Sequence, residues 1–151
     1  MEKNNVRFNK DFDISFFSPS GGHDLDVSDD IISVNFKTEN EAILNIDMTK
    51  IADYSDNGCF FIFLDIAYPK SLYDKIQFSV ELIEGDIKKV QFYDYKEEKS
   101  KLHNIALNEP ENTTFSYSDY YDIDTSIEIT IPILENLKES GKLKVSIFEK
   151  N

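Results

Sequence analysis

Apolar residues return at every second position in one stretch of this chain after another. Phe12, Ile14 and Phe16 step by two, and so do Ile32, Val34 and Phe36. The pattern recurs at Ala42, Leu44, Ile46 and Met48, at Ile76, Phe78, Val80 and Leu82, and at Ile127, Ile129, Ile131 and Ile133. It closes the chain at Leu143, Val145 and Ile147. A helix with one buried face needs apolar residues three and four apart. A period of two over short runs specifies strands with one face in a core. Residues 59–67, Cys-Phe-Phe-Ile-Phe-Leu-Asp-Ile-Ala, are apolar at both parities and read as a central strand covered on both sides. Residues 90–95 and 114–117 are weaker strand candidates. With turn signals between them these segments make eight or nine short strands, the pattern of an all-β, antiparallel β-sandwich of jelly-roll type.

Helix is confined to corners. Residues 49–53 are long enough for one turn, and residues 133–140 for about two, with Gly141 as the residue that ends it. Residues 96–106 fit either state. Gly85-Asp86 reads as a hairpin-type turn between strands. A faint echo links two regions: strand, short corner, glycine, strand describes both residues 42–64 and residues 127–148. The two read as similar corners of one sandwich rather than as a repeat. No Pro-, Gly- or Ser-rich linker divides the chain, so residues 1–151 form a single domain.

Size and composition allow that domain to stand on its core. At 151 residues with 40% hydrophobic content, the chain needs no disulfide or metal staple. It has a single cysteine, Cys59, in an apolar run, which reads as a buried, inert thiol. The net charge of -13 argues against direct contact with nucleic acid or an anionic membrane, since both require a basic face. Arg7 is the only arginine, so bidentate phosphate clamps are nearly excluded as well. The acids are also segregated. Six of them and no base lie between Lys10 and Lys37, and seven and no base between Lys101 and Lys138.

Two acidic stretches carry the candidate chemistry. In residues 21–30, Gly21 and Gly22 permit a sharp turn, while Asp24, Asp26, Asp29 and Asp30 offer oxygen ligands for Ca²⁺. The EF-hand spacing fails here, and the alternative is a turn whose Asx side chains bond their own backbone. In residues 116–124, Tyr117, Tyr120 and Tyr121 interleave with Asp119, Asp122 and Asp124. Extended backbone puts Asp122 and Asp124 on one face about 6.8 Å apart, a strip that would answer Lys or Arg on a partner. The alternative is a loop with Tyr117 and Tyr121 folded onto the edge of the core. His23 and His103 are too isolated in sequence for a transition-metal motif. Nucleophile-elbow, P-loop, dinucleotide and Cys-x-x-Cys motifs are all missing.

The sequence therefore points to a non-enzymatic acidic interaction protein: an inhibitor, an immunity or anti-defence factor, or an accessory subunit. It would bind a basic protein through its Asp/Glu- and Tyr-rich face, with no resident cofactor unless the Asp loop takes Ca²⁺. The alternative is a carbohydrate- or ligand-binding β-sandwich module, with Ca²⁺ dependence an open question. A third reading is a structural jelly-roll subunit whose edge strands pair across copies, a homo-oligomer. The polar start of the chain has no apolar leader segment, so the expected location is cytoplasmic, although a secreted chain with its leader trimmed would look the same.

Overall fold

A computed structural model describes residues 6–18, 21–23, 27, 29–50, 58–72, 75–94, 101–108, 110–112, 124–132 and 140–149. Strands dominate. They are β1 (Arg7–Ser18), β2 (Gly21–His23), β3 (Ile32–Phe36), β4 (Glu41–Asp47), β5 (Cys59–Ala67) and β6 (Ile76–Gly85). After these come β7 (Gln91–Asp94), β8 (Lys101–Asn104), β9 (Pro110–Asn112), β10 (Asp124–Pro132) and β11 (Ser140–Glu149). Six form one sheet in the order β2-β1-β5-β10-β7-β8, and five form a second in the order β3-β4-β11-β6-β9. Every pairing described is antiparallel.

The alternating residues of each sheet meet in one core, as a sandwich requires. Ala42, Leu44 and Ile46 of β4, Ile76, Phe78 and Val80 of β6, and Leu143, Val145 and Ile147 of β11 are buried on one side. Opposite them lie Phe60, Ile62, Leu64 and Ile66 of β5 with Ile127, Ile129 and Ile131 of β10. Phe78 and Phe92 meet edge to face across the two layers, with ring centroids 5.5 Å apart. The antiparallel β-sandwich expected from the alternation is thus the architecture observed.

The two similar corners are both crossovers between sheets. β4 runs into β5 and β10 runs into β11, each pair changing layer, while β4 pairs with β11 and β5 with β10. Both crossovers lie at the same end of the sandwich, where Asp47, Cys59, Pro132 and Ser140 are found.

Several local expectations are corrected. β5 is central, and among the described residues a sheet is packed on its inner face only; Phe61 and Phe63 on the outer face are half-buried. Gly85-Asp86 does not turn a hairpin, because β6 and the next strand, β7, belong to different sheets. Two 3-10 turns, Met48–Lys50 and Lys70–Leu72, are the helical pieces described. The first overlaps the expected corner, and the second carried no signal in the sequence. Residues 51–57, 114–117 and 133–139 lie outside the described residues. β2, β8 and β9, of three, four and three residues, are too short to show alternation, and with the eight expected strands that are described they bring the count to eleven among the described residues. Phe12 keeps the period of β1 yet is 42% exposed. A bulge between Phe8 and Phe12, with Lys10 at φ 63°, breaks the register of the strand.

Candidate functional site

At the crossover end, the outer face of the five-stranded sheet sinks into a depression of about 330 Å³. Its floor is built from the ends of β4, β11 and β6, and Asp29 and Asp30 from the turn before β3 form its rim. Asn45 and Asp47 are two of the outward-facing residues of β4, whose inward ones fill the core. Register sets Asp47 opposite Ser140 and Asn45 opposite Lys142. Lys142 is in turn opposite Glu84 on β6.

A bulge makes Glu84 part of this face. Lys142 pairs with Glu84 and Leu143 with Leu82, so Ile83 is the extra residue and stands 50% exposed. One extra residue reverses the parity of a strand, so Glu81 and Glu84 point the same way although they are three apart. The Lys142 ammonium lies 3.6 Å from Glu84 and the Lys144 ammonium 3.1 Å from Glu81 and 3.4 Å from Glu41. The Glu81 and Glu41 carboxylates flanking Lys144 raise its pKa, Glu81 contributing most.

Asp47 is the organising carboxylate. Its Oδ1 accepts hydrogen bonds from the Thr49 hydroxyl, the Thr49 backbone N–H at 3.1 Å and the Ser140 hydroxyl at 2.9 Å. Lys50 approaches its other oxygen at 3.9 Å. The hydrogen bonds from Thr49 and Ser140 hold its pKa below the ordinary value, so Asp47 is a fixed anion. Ser140 is pinned again through its backbone: its N–H donates to Asp86 Oδ1 at 3.0 Å and its carbonyl accepts from Asp86 N–H at 2.9 Å.

Two glycines let β6 and β11 close over this corner. Gly85 sits at φ +96°, and a Cβ there would stand 2.1 Å from the Ser140 carbonyl oxygen. A Cβ on Gly141 would stand 2.3 Å from the Glu84 carbonyl oxygen. Only glycine fits at either position, because the atoms met are backbone.

Of the residues singled out in the sequence, the structure brings Asp29 and Asp30 to this depression; Asp24 and Asp26 lie outside the described residues. Among the described residues no three His, Cys, Asp or Glu side chains gather as a metal-holding group. Tyr117, Asp119, Tyr120, Tyr121 and Asp122 lie outside the described residues, and Asp124 opens β10. Asp124 pairs with Ala67 at the far end of β5, so it and the Asp29–Asp30 rim stand at opposite ends of the sandwich. Cys59 is half-buried on the outer face of β5, and burial together with Glu128 pushes its thiol pKa up, away from reactivity. Among the described residues no helix is long and apolar enough to cross a membrane.

Asn45, Asp47, Glu84, Ser140 and Lys142 escaped the sequence reading. They are far apart in the chain, and each had the appearance of an ordinary polar outward position. The usable signals were Gly85 and Gly141, together with the doubled apolar pair Leu82-Ile83 that marks the bulge.

No protein-family model and no curated protein matches the chain. Among solved structures it is similar to the family 11 carbohydrate-binding module of the cellulosomal cellulase Lic26A-Cel5E of Clostridium thermocellum. Identity is 17% and the TM-score 0.37, over 100% of this chain and 95% of that one.

Proposed function

We propose that this protein is a non-catalytic ligand-binding β-sandwich module whose ligand is a neutral, polyhydroxylated molecule of the carbohydrate class. The observation that carries the reading is the row of complementary polar groups across three adjacent strands in one open depression. Glu84 and Asp29 offer hydrogen-bond acceptors, Lys142 a donor, and Asn45 both. Neighbouring hydroxyls of a sugar need such a mixed set, because each hydroxyl donates once and accepts as well. Carboxylates outnumber the single ammonium on the lining, which disfavours phosphorylated or uronic-acid ligands. Asp47, engaged by Thr49 and Ser140, holds the corner rigid rather than reaching for ligand, so less ordering remains to be done on binding.

The test is calorimetric titration with soluble neutral oligosaccharides, preceded by a glycan-array survey, in EDTA and in added Ca²⁺. Asn45→Ala and Glu84→Ala, both at outward positions, should each weaken binding by about tenfold while leaving the melting temperature nearly unchanged. Absence of binding to every neutral glycan class, or full affinity in both variants, rejects the proposal. Capture of a basic protein with no glycan bound would return attention to the acidic face as a protein-binding surface.

A further inference from the structure

The borders of the two sheets are not equally protected. β2 and β9 are three residues long, and β9 begins with Pro110. β8 is four residues long and begins with Lys101. The part of β1 that β2 does not cover holds the bulge, Lys10, Asp11 and Asp13. Shortness, proline, charge and bulges are the usual means by which a border strand refuses another strand. β3, Ile32-Ser33-Val34-Asn35-Phe36, has none of these except modest length, and β4 is its only neighbour among the described strands.

The ladder fixes which backbone groups it offers. Asp47 N–H donates to Ile31 C=O at 2.8 Å and Lys37 N–H to Glu41 C=O at 2.9 Å. With Ile32 opposite Ile46 and Phe36 opposite Ala42, the odd-numbered residues bond to β4, and Ile32, Val34 and Phe36 direct N–H and C=O away from it. Ile32 is fully buried, whereas Val34 and Phe36 are only half-buried and Asn35 is exposed. Beside Phe36 stands the ring of Phe12, centroids 6.2 Å apart and 42% exposed.

We infer that the β3 border is a homodimer interface, with a second copy of this chain adding its own β3 antiparallel about a two-fold axis at Asn35. This does not depend on the carbohydrate reading. The occupant follows from self-complementarity. An axis at Asn35 sets Val34 against Phe36 of the second copy and Phe36 against its Val34. The outward N–H and C=O groups of Val34 and Phe36 then satisfy those of the second copy, and Ile32 lies beyond the paired residues. Lys37 falls opposite Ser33, so no like charges oppose. With a net charge of -13 on each copy, an uncharged strand is a border where two copies can approach closely. Phe12 at the rim loses its exposure in the process.

Sedimentation equilibrium on the wild type, Asn35→Lys, Asn35→Glu and their equimolar mixture tests this. Asn35 is exposed on the outer face, so the variants fold, as circular dichroism will verify, and their side chains meet across the axis. The wild type should populate a species of twice the monomer mass. Each variant alone should associate about fivefold more weakly, and the mixture at least as tightly as the wild type. Phe12→Ser should weaken the dimer as well. A wild type that is monomeric throughout the accessible concentration range overturns the inference. So do single variants that dimerise undiminished, or a mixture no tighter than either variant alone.

Discussion

Replacing Gly85 by alanine puts a single methyl group where the structure has no room for one. Two costs combine. At φ +96° an L-residue is strained by about 1–3 kcal/mol. The Cβ would also lie 2.1 Å from the Ser140 oxygen and 2.4 Å from Gly141 Cα, whereas ordinary contact begins at 3.4 Å. Neither atom belongs to a side chain that can swing aside, so β6 and β11 must part by about an ångström at this corner. That opening stretches the 2.9 Å bond from Asp86 N–H to Ser140 C=O, and the loss of a bond of this kind costs about 1 kcal/mol. The total is roughly 2–4 kcal/mol, which for a domain of this size lowers Tm by about 10 °C. Differential scanning calorimetry of Gly85→Ala against the wild type measures it, with Asp86→Ala as the control that deletes only the 3.0 Å side-chain bond to Ser140 N–H. A loss of under about 1 kcal/mol for Gly85→Ala would refute the claim that backbone closure requires glycine there.

Other consequences are as direct. Thr130 is buried and its hydroxyl has no hydrogen-bond partner among the described residues, so Thr130→Val should raise Tm by roughly 3–5 °C in a thermal melt. Phe78 is fully buried against Phe92, and Phe78→Ala should cost about 3–5 kcal/mol in urea unfolding. Asp47 has its pKa lowered on folding, so the stability it contributes is present above the unfolded pKa and lost as pH falls through the folded one. The Tm of the wild type should therefore drop more steeply than that of Asp47→Asn below about pH 4. Lys144 has its pKa raised, so the stability it contributes is present below the unfolded pKa and disappears as pH rises through the folded one. Lys144→Met should lower Tm at neutral pH, less so in high salt, and should remove that alkaline loss.

How much of this was written in the sequence depends on the distance over which each feature acts. Alternation at Ala42, Leu44 and Ile46 or at Ile127, Ile129 and Ile131 is enforced by the nearest neighbours of each residue, so the strands and their buried faces could be read directly. Covering of both faces of β5 could not, because Phe61 is apolar whether or not a layer is packed on it, and none is packed there among the described residues. The depression was hidden for a different reason. Asp47 and Ser140 are 93 residues apart, and their meeting depends on two layer changes and a bulge at Ile83 that no local pattern announces. Asp29 and Asp30 were visible as a polar turn, but the groups they join were not.

The two crossovers also set the order in which the molecule can assemble. Of the pairings described, β1–β2, β3–β4 and β7–β8 join strands adjacent in the chain, whereas β4–β11 and β5–β10 close very long loops. Early chain closure favours the short-range ribbons, and the long-range zippers come late and slowly, as in other sandwiches rich in non-local contacts. The hydroxyl of Ser140 reaches Asp47 only when β11 has slotted between β4 and β6. On the ribosome, β11 emerges after both of the strands it pairs with. The corner that frames the depression is therefore completed only after β11 has been synthesised, and a product truncated before β11 lacks the Asp47–Ser140 bond that holds it.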